Sequence, residues 1–202
     1  WPNIFNCLNN IRDELKEFFP YKHIRVNRCE EDDFKGTICH TEGVALGDGK
    51  EKILVLSGDK DFIQLQIYAN VSQYDPVRKR MIKHNDAAQY LLEHIAKGDR
   101  GDGIPNALSA DDTFVSGGRQ KPMRAKRLEE IMEAVGNKDY SLHEWAAGYQ
   151  RNEILVDLIN TPDELQEQIL EQFEVDPGGR DGLFNYFVKK RLNGLIENIS
   201  EF

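Results

Sequence analysis

Residues 52–57, KILVLS, constrain the fold more than any other stretch of this chain. Four consecutive apolar side chains with no polar alternation do not suit a strand with one solvated face. Such a run reads as a strand covered on both faces, as in a mostly parallel sheet flanked by helices. It follows LGDGKE, which reads as a turn, and it is closed by SGDKDF, which sets two acids just beyond the strand.

The other elements arrange themselves around that strand. Ile4, Leu8, Ile11, Leu15 and Phe18 recur at helical spacing from about Asn3 to Phe19, and Pro20 stops the helix. KHIRVNR (22–28) alternates and predicts a short strand. CEEDD follows, and its acids suit the start of a helix running to about Ala45. Val71–Tyr74 reads as a strand with a short partner near Met81–Lys83. Asp86–Ala96 reads as a helix ended by Gly98, and GDRGDGIPN is a Gly-rich turn. From about Met123 the chain reads as helical, with breaks near Gly136, Gly148, Thr161-Pro162 and Pro177-Gly178-Gly179. The expected class is therefore α/β, a mostly parallel central sheet with flanking helices followed by an α-helical region. The division falls between residues 1–96 and 97–202.

At 202 residues and 40% hydrophobic composition the chain can bury one substantial core, or one core and a satellite. No apolar run is long enough to span a bilayer and no secretory signal opens the chain. It begins with Trp1 and enters a helix at once, which reads as a fragment, a processed product or the ordered part of something longer. Cys7, Cys29 and Cys39 have no short paired spacing and suit reduced thiols in a cytosolic protein. Cys29, Cys39 and His40 are spaced too widely for a metal knuckle.

The net charge of −9 argues against a general nucleic-acid binder, but the charge is segregated. RQKPMRAKR (119–127) holds five basic residues and no acid, whereas acids gather at Glu30–Asp33, Asp59–Asp61 and Asp99–Asp102. That pattern suits a protein holding cations in one place and phosphates in another. In a parallel sheet, sites form beyond the carboxyl ends of strands, so the first two acidic groups can share one edge. If Asp59-Lys60-Asp61 is extended, both aspartates face one side. Two unit charges 4 Å apart repel by about 4 kcal/mol at an effective dielectric near 20. A convergence of six carboxylates is then tolerable only with bound cations. Oxygen ligands with no Cys or His nearby select Mg²⁺ or Mn²⁺, and two such ions about 4 Å apart catalyse in-line displacement at a phosphodiester. The five histidines are scattered, and none is expected beside an acidic motif.

With these residues in hand, SGDKDFIQL resembles the SGDxDxxQL signature of the flap endonuclease or 5′-nuclease family, and GDRGDGIPN resembles its GDxxDNIPG turn. The likeness extends to the ribonuclease H branch of T-even bacteriophages, through DELK, EFFPY, the acidic motif and YFVKK…LIENISEF, and covers essentially the whole chain. It implies a PIN-like nuclease core followed by a helix–three-turn–helix DNA clamp. It implies two Mg²⁺ ions, with Mn²⁺ as a substitute. Glu30, Asp32, Asp59 and Asp61 would surround the first ion, and Asp99 and Asp102 would serve the second, with Asp61 able to bridge. Asp33 would stand in the outer shell. Catalysis would rest on Glu30, Asp32, Asp59, Asp61 and Asp102. Lys97, Arg100, Arg119, Lys121, Arg124, Lys126 and Arg127 would grip branched DNA, 5′-flap DNA or an RNA–DNA duplex. The implied role is removal of RNA primers and 5′ flaps during lagging-strand replication, by a monomer in the cytoplasm of an infected bacterium. A single-strand-binding protein or sliding clamp is a partner by family likeness alone.

The chain departs from the family in three ways. A preceding family segment, with a first-strand Asp, another metal Asp and an arch bearing Lys and Arg, is not among these residues. Gly103 replaces the usual Asn, and NALSADDTFVSGGRQKP replaces the glycine hairpin, so no potassium site is expected there. A non-catalytic branched-DNA-binding module is therefore an alternative reading. A haloacid-dehalogenase-type phosphatase is another, because it too uses a strand-ending DxD. That reading fits less well, since Phe62 and Ile63 follow the pair and only about forty residues separate the two motifs. Trp145, Tyr149, Phe184, Tyr186 and Phe187 have core-like spacing and read as packing residues.

Overall fold

The computed structural model describes residues 1–45, 52–178 and 180–202. LGDGKE and Gly179 lie outside the described residues. The chain forms two compact units, one from residues 1–28 and 167–202, the other from residues 29–166. The division expected between residues 96 and 97 falls inside the second unit.

In the first unit, α1 (Pro2–Phe18) carries Pro in its first turn, where a missing N–H costs nothing, and ends ahead of Pro20. Only its last turns reach a core. Leu15 and Phe18 pack against buried Phe19, Leu183 and Phe187, the latter two from α7 (Leu183–Lys190). Tyr186 hydroxyl donates to Glu14 at 2.9 Å, and Lys190 pairs with the same carboxylate. The N-terminal part of the helix is different: Ile4, Phe5, Leu8 and Ile11 are about half exposed. The strand expected at 22–28 does not form. Instead the Arg25 N–H donates to Gln172 Oε1 at 2.8 Å, and Gln172 Nε2 donates to the Arg25 carbonyl at 2.9 Å. A side-chain amide from α6 (Asp163–Phe173) thus replaces a neighbouring strand. Phe187 is buried as expected, whereas Phe184 is half exposed.

The second unit begins with α2 (Glu31–Ala45) and contains a three-stranded sheet of β1 (Ile53–Leu56), β2 (Val71–Asp75) and β3 (Arg80–Ile82). β1 and β2 run parallel, with Ile53 opposite Val71 and Leu56 opposite Tyr74; β3 returns antiparallel to β2. Among the described residues, one pairing of each kind makes this small sheet mixed, not mostly parallel. The expectation that β1 is covered on both faces also fails among the described residues. Val55 is buried against Cys39, Phe62, Leu65 and Val71, but Leu54 and Leu56 on the other face are 54% and 60% exposed.

Three helices and the turns between them make up most of the remainder of this unit. α3 (Ala87–Lys97) is capped by Asp86, whose carboxylate accepts the Gln89 N–H at 2.8 Å. α4 (Ala125–Gly136) and α5 (Ala146–Val156) enclose a second core of Ile95, Ala96, Ala107, Ile131, Trp145, Tyr149 and Val156. Gly148 does not break a helix as expected but lies inside α5. A Cβ there would stand 2.2 Å from the Ala107 carbonyl oxygen, so the helix can approach residues 105–108 only because position 148 has no side chain. Gly148→Ala should therefore cost about 1–3 kcal/mol in chemical denaturation. Gly136→Ala, where a Cβ meets nothing within 4 Å, should be neutral or stabilising by up to about 1 kcal/mol. Equal effects at the two glycines would remove the close approach as the reason for Gly148.

Candidate metal centre

The acidic residues of the second unit are held on turns that buried amides tie down. After β1 the chain does not stay extended. Lys60 is α-helical in backbone, and Asp61 opens a 3₁₀ segment, Asp61–Ile67. The two aspartates are brought together by this turn and not by strand alternation: the Asp61 N–H donates to Asp59 Oδ1 at 3.1 Å. Gln73, almost fully buried on β2, donates to the Ser57 and Asp59 carbonyls at 3.0 and 2.5 Å. Gln64, also buried, donates to the Asp61 and Val156 carbonyls at 2.9 and 3.0 Å and accepts the Leu158 N–H at 3.0 Å. These amides satisfy carbonyls that a turn would otherwise leave unpaired.

The second acidic turn starts at Gly98, whose φ of 66° ends α3. A Cβ there would meet the Ile104 and Pro105 carbonyl oxygens at 2.4 and 2.7 Å, so this position also requires glycine. Asp99 Oδ1 then accepts the Gly101 N–H at 2.6 Å. Asn152, fully buried on α5, donates to the Ile95 and Pro105 carbonyls at 2.8 and 2.9 Å and so clamps the turn to the helix before it.

The predicted acids separate into those that share a field and those that do not. Asp32, in the first turn of α2, lies where the helix dipole favours a charged carboxylate. Yet burial, reinforced by the charges of Asp59, Asp61 and Glu31, pushes its carboxyl up to about 6. Asp61 is also raised, first by burial and then by Asp59, Asp99 and Asp102, while His94 opposes the rise. Asp61 is thus common to both sets, acting with Asp59 on Asp32 and acted on by Asp59, Asp99 and Asp102. Glu30 sits just ahead of α2, exposed, with its N–H on Asp33 Oδ2 at 2.9 Å. Asp33 has both oxygens in use, since Oδ1 accepts the Thr161 hydroxyl at 3.0 Å; it holds the start of α2 in place.

Asp59, Asp61 and Asp99 open onto a cleft of about 590 Å³ that is also lined by Gly58, Lys60, Arg78, Tyr90 and His94. The last three were not anticipated as site residues. His94 corrects the expectation that no histidine neighbours an acid: Nδ1 is 3.6 Å from Asp61 Oδ1 and Nε2 is 3.4 Å from Asp99 Oδ2. The available signal was the spacing of Tyr90 and His94, i and i+4 on a helix that ends at the acidic turn, which puts both on one face. Burial and the charges of Asp61, Asp59 and Asp99 raise the Tyr90 hydroxyl. Arg78 is held at the rim by buried Asp75, at 3.7 Å. Like charges partly removed from water, with few cations among them, fit a divalent cation as ligand. Asp61, His94 and Asp99 can present donor atoms within 4.8 Å of one another, and among the described residues they are the one group of three or more His, Cys, Asp or Glu side chains that does so. Cys29, Cys39 and His40 form no such group.

The basic stretch lies against the acidic turn. Asn106 Nδ2 donates to the Lys121 carbonyl at 2.8 Å, the Asn106 N–H donates to Gln120 Oε1 at 2.7 Å, and the Lys121 N–H donates to Ser109 Oγ at 2.9 Å. Arg100, Arg119, Lys121, Arg124 and Lys126 are exposed. Lys97 and Arg127 are not simple solvent-facing cations. Lys97 pairs with Glu93 at 2.6 Å, and Arg127 binds Glu130 and Glu144 at 3.1 Å each.

The chain is similar to known proteins. Ribonuclease H of Enterobacteria phage T4 is 29% identical over 211 aligned positions, which cover 100% of this chain and 67% of that protein. Among solved structures, a mutant of T5 5′-exonuclease superposes with a TM-score of 0.53 at 20% identity, covering 85% of this chain and 76% of the exonuclease. T5 D15 protein, co-crystallised with metal ions, gives a TM-score of 0.50 at 20% identity, covering 84% and 69%. Both structures share the fold. The family described as T4 RNase H, C terminal, matches residues 86–202, more than half of the sequence. This chain belongs to that family.

Proposed function

We propose that this chain is the metal-binding and DNA-gripping portion of a Mg²⁺-dependent, structure-specific 5′–3′ nuclease that removes 5′ flaps or RNA primers during replication. The observation that carries the reading is that Asp59, Asp61 and Asp99 line one cleft, where Asp61 feels the charges of Asp59, Asp99 and Asp102 and Asp32 feels those of Asp59 and Asp61. Glu30, Asp32, Asp59 and Asp61 would hold one ion and Asp61, Asp99 and Asp102 the second, with Mn²⁺ able to replace Mg²⁺. Bound ions supply activation of the attacking water and charge neutralisation at the leaving oxygen. The chain's own residues position them: Gln73 and Gln64 fix the first turn, Gly98 and Asn152 the second, and Arg78 and Lys60 bring positive charge to the rim.

The same proposal includes the finer fold reading, a PIN-like core followed by a helix–three-turn–helix clamp from residue 97. Turns at residues 100–103, 107–108 and 111–117 between α3 and α4 support it. Arg100, Arg119, Lys121, Arg124 and Lys126 would hold phosphates without reading sequence. Membership in the ribonuclease family leaves no support for the phosphatase alternative. Among the described residues no helix is long and apolar enough to cross a membrane. A single-strand-binding protein or sliding clamp as partner, and the infected host's cytoplasm as location, belong to the proposal too.

The test is cleavage of an end-labelled 5′-flap duplex with Mg²⁺ against EDTA. Asp59→Asn keeps an oxygen for the Asp61 N–H, so the turn should survive. Cutting should fall by at least about 100-fold while flap binding persists. Cutting within about tenfold of the parent would remove Asp59 from the metal set. A parent chain that binds flaps and never cuts, with Mg²⁺ or Mn²⁺, is instead the branched-DNA-binding module.

Asp32 predicts a linked effect on stability. Its carboxyl is raised from an ordinary 3.8 to about 6, so between those pH values the folded state keeps a proton that the unfolded chain has released. Stability contributed by this group is therefore present below pH 4 and lost as pH rises through 6. At pH 7.5, Mg²⁺ should raise the melting temperature. Asp32→Asn should raise the metal-free value by about 1–4 °C and shrink the Mg²⁺ increment. An unchanged increment would place the ion elsewhere.

Salt dependence tests the clamp. Replacing Arg119, Lys121, Arg124 and Lys126 with Ala should flatten the slope of log affinity against log salt by up to about 0.9 per lost phosphate contact. Arg127→Ala should leave the slope nearly unchanged because its guanidinium is engaged with two acids. An unchanged slope in the fourfold variant would exclude this stretch from the interface.

A further inference from the structure

His94 is hard to explain as a simple counter-ion. An imidazolium between two carboxylates would donate both N–H groups at about 2.7–2.9 Å. Here the separations are 3.4 Å to Asp99 and 3.6 Å to Asp61, and Nδ1 is buried with no hydrogen-bond partner. The side chain is only 12% exposed, and Tyr90 stands edge-on to it at 5.9 Å, so the ring has little freedom to relieve that shortfall. Two donors each about 2.1 Å from a shared ion at a tetrahedral angle stand about 3.4 Å apart, which is the spacing of Nε2 and Asp99 Oδ2. His94 also lies in the last turn of α3, where the negative end of the helix dipole adds to the preference for a cation.

We propose that His94 is a nitrogen ligand of a divalent ion held with Asp61 and Asp99, and that it shifts this site from a preference for Mg²⁺ alone towards Co²⁺ and other borderline transition ions. The inference rests on the metal-dependent reading above and adds to it a donor that is not a carboxylate. Imidazole binds such ions more strongly than it binds Mg²⁺, whereas carboxylate sets discriminate less. Each ring nitrogen faces one carboxylate. Nε2, with the Asp99 spacing, is the nitrogen placed to ligate. Nδ1–H, which has no hydrogen-bond partner, faces Asp61 Oδ1 at 3.6 Å, the carboxylate that would close on it and fix the ring as around a metal-bound histidine.

The probe is Co²⁺ added to the full chain, followed by visible absorption and by proton NMR in H₂O, where a coordinated imidazole gives a strongly shifted, exchangeable N–H resonance. The expected result is one such resonance that disappears in His94→Gln. Co²⁺ affinity should fall by at least about tenfold in that variant while Mg²⁺ affinity changes by less than about threefold. Circular dichroism of His94→Gln checks that the fold is retained. Should His94→Gln unfold, Tyr90→Phe provides the second variant, since it leaves the imidazole in place and should keep the shifted resonance. Co²⁺ that binds in an Asp61- and Asp99-dependent way with no shifted imidazole resonance overturns the inference and leaves the carboxylate nuclease reading standing. Co²⁺ and Mg²⁺ binding that is indifferent to Asp61→Asn and Asp99→Asn overturns both.

Discussion

Repulsion among carboxylates is the constraint around which the second unit is built. A turn that presents Asp59 and Asp61 together, next to a turn that presents Asp99 and Asp102, would be pushed apart by its own charge if it were held only by exposed backbone. The chain counters this with neutral amides that are themselves buried. Gln64 and Asn152 each join carbonyls from different segments, and Gln73 ties two carbonyls of the first turn to β2. Removing one would leave several buried groups unpaired at once. The charge is therefore placed by polar groups that carry none.

Two glycines do the complementary steric work. Gly98 lets the acidic turn fold back on the end of α3, and Gly148 lets α5 come close enough for Asn152 to reach the Pro105 carbonyl. Arg151 strengthens the same contact by donating to that carbonyl at 2.7 Å. The result couples the helical core around Trp145 and Tyr149 to the position of Asp99. A change in packing at the core is expected to be felt at the acids through this short chain of contacts.

Much of this order was legible in the sequence because it depends on local chemistry. Apolar spacing located α1, acids marked the first turn of α2, and Gly98 marked where α3 stops. The acidic motifs declared themselves by residue type alone. What the sequence concealed depended on partners far along the chain or on the local path of a turn. Residues 22–28 alternate as a strand should, but Gln172 provides the pairing instead. Asp59 and Asp61 looked as if they shared a face by alternation, whereas a turn closed by their own hydrogen bond brings them together. KILVLS looked doubly covered, yet among the described residues Leu54 and Leu56 are more than half exposed, because burial is a property of neighbours and not of the run itself. His94 was passed over because its distance from Asp99, five residues on, is set by how the chain turns at Gly98 as it leaves the helix.

That last case bears on how a metal site acquires selectivity. A set of carboxylates offers high charge and hard oxygen donors, and it discriminates among divalent ions mainly by size and hydration. One imidazole placed among them changes the ranking, since a nitrogen donor favours ions with accessible d orbitals and does little for Mg²⁺. In the proposed site Asp61 and Asp99 face the two ring nitrogens of His94 at 3.6 and 3.4 Å, so the choice of ion would be tuned from the helix, at one residue, without disturbing the turns that hold the acids.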